Sequence, residues 1–239
     1  MINIEQTKSI MLDYGGTIDT NGMHWAQVIR MAYEHLGIEV DEENFRQAYV
    51  HGERSLATRR IVEPHHNFWH VLRLKAEAQI GLLAERGLLQ PEQTALANKI
   101  ADWCYAYAQM GVNAARPVLK QLADARPLVL VTNFYGNIAA VLEDFHLTGF
   151  FPLVVESATA GVRKPDPEIF RLALKSAGCR PEEAVVVGDS FDKDIAPAAS
   201  LGCQTVWLKK AGWTPTDAAC DGTAGLIISD FGALGEILG

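Results

Sequence analysis

Six short apolar runs constrain this chain more than any other feature of its sequence. They are Ser9–Leu12, Pro127–Val131, Leu153–Val155, Ala184–Val187, Thr205–Leu208 and Leu226–Ile228, most of them bounded by Gly, Asp or Asn. Unbroken stretches of Val, Ile and Leu suit strands buried on both faces, as in a parallel sheet. Helical patterns lie between them. In Pro167–Ala177 a proline takes the first helical position after Asp166, a good N-cap, and apolar residues recur at Ile169, Phe170, Ala173 and Leu174. Such alternation predicts an α/β, Rossmann-like three-layer core with a mostly parallel sheet, its ligands at the carboxyl ends of the strands.

The alternation breaks once. From about residue 21 to residue 112 there is no convincing strand, only helical periodicity. Trp25, Val28, Ile29, Ala32 and Leu36 make one apolar face, closed by Gly37. Phe68, Leu72, Ala76, Ile80 and Leu83 make a second, and Leu96, Ile100, Trp103 and Tyr107 a third, opened by Pro91. The expected organisation is therefore a core built from residues 1–20 and 113–239, with residues 21–112 inserted as an α-helical cap domain. No internal repeat or low-complexity stretch is evident.

Composition removes several function classes. A formal charge of −8 argues against a nucleic-acid surface, which needs a basic stripe. No apolar run approaches the ~20 residues of a membrane span, and Met1 to Ser9 lack the apolar centre of a signal peptide. The four cysteines, Cys104, Cys179, Cys203 and Cys220, form no CxxC pair. Reduced thiols in a cytoplasmic protein are the expectation.

Four segments stand at the ends of expected core strands. Ile10-Met-Leu-Asp13-Tyr-Gly15-Gly-Thr17 carries a carboxylate into the crevice, with glycines that let backbone turn closely about a ligand. Val129-Leu-Val-Thr132-Asn133 ends in a hydroxyl and an amide. Arg163-Lys164-Pro165-Asp166-Pro167 places a cation before a helix, and Val185-Val-Val-Gly188-Asp189-Ser190 is followed by Asp192 and Asp194. Asp13 and Asp189 suit a hard, oxygen-binding cation, and Mg²⁺ takes one or two carboxylates and keeps its waters. Lys164, Thr132 and helix N-terminal amides are suited to phosphoryl oxygens, and a carboxylate nucleophile is reasonable beside such a clamp.

These segments, in this order, resemble the four motifs of the haloacid dehalogenase (HAD) superfamily. Lys164-Pro-Asp-Pro-Glu-Ile-Phe170 and Gly188-Asp-Ser-Phe-Asp-Lys-Asp-Ile195 are close to the wording of its phosphatase-like branch, and Thr205–Leu208 and Ile227–Leu234 fit that branch too. The resemblance covers the core; the cap is similar to the family's helical type only in position and helicity. It implies that Asp13 is the nucleophile receiving the phosphoryl group and that Thr132, with Asn133 beside it, binds phosphoryl oxygen. Lys164 would neutralise nucleophile and phosphoryl group. Mg²⁺ would be held by Asp13, the main-chain carbonyl of Gly15 and Asp189, with Asp194 supporting the shell. The implied activity is Mg²⁺-dependent hydrolysis of a small phosphorylated metabolite.

One position departs from the pattern. The family's phosphatases usually carry a second aspartate two residues after the nucleophile, as general acid and base, a contribution of roughly 10²–10⁴ in rate. Here that residue is Gly15. Three readings follow: a phosphatase whose acid comes from elsewhere, with Asp19, His24, His51, His65, His66 and His70 as candidates; a different branch, dehalogenase or phosphonate hydrolase; or a slow or non-enzymatic protein that binds a phospho-ligand or partner. The resemblance implies an early-cap lysine for a phosphonate hydrolase, and the absence of any lysine between Lys8 and Lys75 counts against that branch.

Other features have plainer readings. His66 and His70 are spaced to share a helix face, as zinc-binding histidines do, but lack a third ligand and a suitably placed glutamate, so a polar cap surface is expected. Arg54, Arg59 and Arg60 read as solvated helix positions, Trp25, Trp69 and Trp103 as helix packing, and Pro197 as a structural residue in the first turn of a helix.

Overall fold

The computed structural model describes residues 2–89, 93–210 and 224–239. Its strands are β1 (Ser9–Leu12), β2 (Leu128–Thr132), β3 (Leu153–Glu156), β4 (Ala184–Gly188), β5 (Gln204–Leu208) and β6 (Leu226–Ile228). They form one sheet in the order β3-β2-β1-β4-β5-β6, with every neighbouring pair parallel. β1 is central: Ile10 lies opposite Leu128 on one side and Val185 on the other. All six strands coincide with the apolar runs to within one residue at either end.

The helices are α1 (Trp25–His35), α2 (Glu42–Arg59), α3 (Phe68–Glu85), α4 (Gln93–Ala125), α5 (Ile138–Asp144), α6 (Ser157–Ala160), α7 (Glu168–Ala177), α8 (Ala196–Ser200) and α9 (Leu234–Leu238). Because successive strand residues point to opposite faces, one face of the sheet presents Met11, Val129, Val131 and Val186 to Ile169, Phe170, Ala173 and Leu174 of α7. The other presents Ile10, Leu12, Leu130 and Val187 to Leu119 and Leu122 of α4 and to Val141 and Leu142 of α5. Each such side chain contributes about 1.5–3 kcal/mol by leaving water. Helix α7 begins one residue later than expected, at Glu168, whose N–H donates to Asp166 Oδ1 at 2.9 Å. Pro167 thus takes the N-cap position expected of Asp166, which supports the first turn from one residue earlier, and Gly178, at φ 64°, ends the helix in a left-handed conformation.

Helices α1, α3 and the first half of α4 match the three apolar faces. Pro91 and Cys220 lie outside the described residues. Helix α2 carried no clear periodic signal, because its buried face mixes Phe45, Tyr49 and Leu56 with Ala48, Gly52 and Ser55. Asp41 starts it by accepting from Asn44 N at 3.0 Å. Gly52 lets α2 close on α3: a Cβ there would lie 3.1 Å from the Lys75 carbonyl and from Gln79 Cγ. Helix α4 runs unbroken through residue 112, from beside α3 to beside α9. Among the described residues no helix is long and apolar enough to cross a membrane. Cys104, Cys179 and Cys203 are free thiols.

Candidate active site

Asp13 directly follows β1, and its N–H donates to Val187 O at 3.0 Å, which continues the pairing with β4. Its carboxylate is buried. Oδ1 accepts from Lys164 Nζ at 2.5 Å and Oδ2 from Thr17 Oγ1 at 3.2 Å. The same Thr17 hydroxyl accepts from Asp189 N at 3.1 Å, tying the turn after β1 to the turn after β4. Gly16 makes this approach possible, since at φ 97° any Cβ would run into the Asp189 carboxylate.

Lys164 is 3% exposed, and its ammonium bridges Asp13 and Asp194, the latter at 2.6 Å. Burial alone would favour the neutral amine, but the two carboxylates overcome it and hold the lysine above its ordinary range. Asn133 fixes the main chain of Lys164 by a reciprocal pair: Nδ2 donates to Lys164 O and Oδ1 accepts from Lys164 N, both at 2.9 Å. Asp194 sits in a π-helical turn, Phe191–Ile195, and its Oδ2 accepts from Ser190 N at 3.1 Å. Gly188 leaves room for it, because a Cβ at 188 would overlap the Asp194 carboxylate.

Oxygens of Asp13, Asp189 and Asp194 lie within 4.8 Å of one another. Burial, then the charges of Asp13 and Asp194, push the Asp189 carboxyl well above the usual range. Burial also raises Asp13, more than Lys164 lowers it. Three crowded carboxylates against one lysine leave an excess of negative charge on oxygen donors. That donor set fits a hard divalent cation such as Mg²⁺.

These groups open into a small cavity of about 150 Å³, roofed by the cap. Gly15, Thr132 and Ser190 line it from the core, with Arg163 and Lys193 exposed at the rim. His24, Trp25, Tyr49, Glu53, Phe68 and Lys75 line it from the cap side, and Tyr135 from the loop after β2. Glu53 and Lys75 form an ion pair at 2.7 Å, and Tyr135 Oη donates to Glu53 Oε2 at 3.4 Å. Asp19 is fully buried at the cavity wall, with Oδ1 accepting from Gly16 N at 2.7 Å and Oδ2 from Trp25 Nε1 at 3.0 Å. Burial drives its carboxyl up to about 7, despite those two donors. His24 moves the other way: burial, with Lys193 adding to it, lowers it to about 4, so the imidazole is neutral.

The structure thus gathers Asp13, Gly15, Thr132, Asn133, Lys164, Asp189 and Asp194 around one cavity. Of the candidate acids, Asp19 and His24 line it, whereas His51, His65, His66 and His70 do not. His66 stacks on His70 with ring centroids 4.9 Å apart, and its Nδ1 accepts from Glu63 N, beside exposed His65. Arg54, Arg59 and Arg60 are exposed and outside the cavity. Trp69 donates to Asp102 and Trp103 stacks on Tyr107, as packing residues do. Trp25 packs edge-on against Phe68 and also walls the cavity, a double role that its helical spacing did not reveal. Lys75, the first lysine after Lys8, comes from α3 and reaches the cavity. Its pairing with Glu53 holds it charged, unlike an amine nucleophile. Thr17, Glu53 and Tyr135 were not anticipated.

With the four segments shown to converge beneath helices at the carboxyl ends of a parallel sheet, the protein is a capped α/β hydrolase. The chain belongs to the haloacid dehalogenase-like hydrolase family, whose sequence profile matches residues 7–202. It is 32% identical over 132 residues to a glyceraldehyde 3-phosphate phosphatase of Pyrococcus furiosus, covering 50% of this chain and 55% of that protein, so the match spans about half of the relative's length. It is 28% identical over 239 residues to a phosphoglycolate phosphatase of Chromobacterium violaceum, covering 99% of each. Its fold is similar to that of a HAD-hydrolase from Bacillus subtilis solved with magnesium bound, at a TM-score of 0.58 and 19% identity over 97% of this chain and 98% of that one.

Proposed function

We propose that the protein is a Mg²⁺-dependent phosphatase acting on a small phosphorylated metabolite in the cytoplasm. In this reading residues 1–20 and 113–239 form the catalytic core and residues 21–112 the cap. The observation that carries it is Lys164, which holds Asp13 and Asp194 together beside Asp189 at the floor of the cavity. The phosphatase relatives support the substrate class.

Asp13 attacks phosphorus, forming an aspartyl-phosphate as the ester P–O bond breaks. Lys164 offsets charge on the nucleophile and the transferring group. Thr132 donates to a phosphoryl oxygen, and Asn133 donates with the amide hydrogen left over from its bond to Lys164. Asp13, the Gly15 carbonyl and Asp189 would hold Mg²⁺, with Asp194 behind them; the ion supplies Lewis-acid stabilisation of the phosphoryl oxygens. Asp19 gives its proton to the departing alkoxide. It then takes one from the water that cleaves phospho-Asp13, releasing phosphate.

The test is hydrolysis, with Mg²⁺, of acetyl phosphate and of a panel of small phosphate monoesters, each repeated with Asp13→Asn. Turnover abolished by that change supports the reading. Absence of turnover in the wild-type chain, with none gained in Gly15→Asp, favours the second reading that Gly15 motivates, a protein that binds a phospho-ligand without turning it over. Halide release from a 2-haloacid without Mg²⁺ would indicate the dehalogenase branch instead.

A further inference from the structure

The cap lines the cavity with an ion pair, and that pair bears on what the phosphate is attached to. Glu53 comes from α2 and Lys75 from α3, brought together where Gly52 lets the two helices touch. Lys75 is the only cation that the described cap residues place in the cavity, and Glu53 already meets its charge at 2.7 Å. Lys164, the other buried cation there, is committed to Asp13 and Asp194. The remaining cations, Arg163 and Lys193, are exposed at the rim. Five carboxylates, Asp13, Asp19, Glu53, Asp189 and Asp194, line the same space. An anion on the leaving group would thus enter a cavity whose inner cations are already balanced, and would face Glu53.

A hydroxyl meets the opposite situation. Glu53 Oε1 is buried against the Lys75 ammonium at 2.7 Å, and Oε2, which accepts from Tyr135 Oη, keeps a further acceptor direction for a ligand. The Lys75 ammonium has three donors and can serve a hydroxyl or carbonyl oxygen while keeping its pair. Tyr135 Oη, held toward Glu53 Oε2, adds a further polar contact on the core side.

We propose that Glu53 and Lys75 select a neutral leaving group bearing hydroxyl or carbonyl oxygens and small enough for this cavity. The substrates are then phosphate monoesters of short polyols or hydroxycarbonyl compounds, in preference to phosphorylated carboxylic acids. This rests on the phosphatase reading above. The relatives named above include enzymes for both kinds of substrate, so the choice stands on Glu53 and Lys75 themselves.

The experiment uses the full chain with Mg²⁺ and two matched pairs: glycerol 3-phosphate against 3-phosphoglycerate, and 2-hydroxyethyl phosphate against 2-phosphoglycolate. Acetyl phosphate is measured in parallel. The neutral member of each pair is expected to have the higher kcat/KM by about tenfold or more. Glu53→Gln should shrink that ratio by raising turnover of the acids. The same ranking should appear as binding to Asp13→Asn protein by calorimetry, which does not depend on turnover. Equal or better use of the acids, with acetyl phosphate still hydrolysed, overturns the inference and leaves the phosphatase reading standing. Failure to hydrolyse acetyl phosphate or to form phospho-Asp13 overturns both.

Discussion

Trp25 Nε1 donates to Asp19 Oδ2 at 3.0 Å, and the same nitrogen would be the nearest atom, at 3.9 Å, to a Cβ on Gly15. The indole thus joins the space where the family's usual acid would project to a different carboxyl, itself held partly protonated near neutral pH by burial. Asp19→Asn should lower kcat for an alkyl phosphate by about 10²–10⁴, the range for losing general acid–base help. Acetyl phosphate, whose leaving group needs little protonation, should lose much less in the phosphorylation step. An equal loss for both substrates would make Asp19 a structural residue.

Gly15 can be filled. Its backbone does not require glycine, and the nearest atoms to an added Cβ are at ordinary contact distance. In Asp19→Asn, which removes the group that activates the water, exposure to a phosphoryl donor should leave a lasting adduct of one phosphoryl group on Asp13, visible by intact-mass spectrometry. Gly15→Asp, added to that variant, should shorten the lifetime of the adduct and raise kcat. A variant that folds normally but clears the adduct no faster would place the limiting step elsewhere.

The site's carboxyls predict an inverted pH–stability profile in the absence of metal. Asp13, Asp19 and Asp189 titrate higher in the folded chain than the 3.8 of a free aspartate. Their contribution is therefore full below that value and is lost as pH rises through the folded-state values. His24, lowered to about 4, acts oppositely: its contribution is present above 6.5 and is lost as pH falls. Three acids against two lowered histidines, His24 and His66, should make the melting temperature in EDTA fall between about pH 5 and pH 7. Mg²⁺ favours the ionised acids and should flatten that slope, with protons released on binding that calorimetry in two buffers would detect. A flat profile in EDTA would mean that the acids are better solvated than their burial implies.

Gly111, near the middle of α4, packs against the backbone of Asp19. A Cβ there would collide with the main-chain carbonyl of Asp19. Gly111→Ala should destabilise the fold by about 1–3 kcal/mol, the usual cost of overpacking, and should lower activity by shifting Asp19 and Trp25. Denaturant melts together with kinetics would check it; an unchanged midpoint would show that α4 yields without effect.

The core was legible because a strand buried on both faces has to be apolar throughout, and its polar end then marks the crevice. Asp13 and Asp189 could be read from residues alone for that reason, whereas Lys164 follows β3 only after α6 and was marked by the helix it precedes. The cap was legible only in part. Helix α2 escaped because small residues, Ala48, Gly52 and Ser55, serve where it packs closely, and they leave no strong periodicity. Lys75 and Glu53 stand 22 positions apart on separate helices, and nothing local says that they meet. Thr17 was visible as part of the first segment, but its link to Asp189 exists only once β1 lies beside β4.

That placement of β1 has a consequence in time. The strand bearing Asp13 is made first, yet one of its two neighbours, Ala184–Gly188, is made last of the three. Until then Asp13 lacks both the Val187 carbonyl that anchors its N–H and the Asp194 that shares its lysine. A ribosome-bound chain interrupted before that point carries the nucleophile without a site, so the chemistry is withheld until Asp194 has been synthesised.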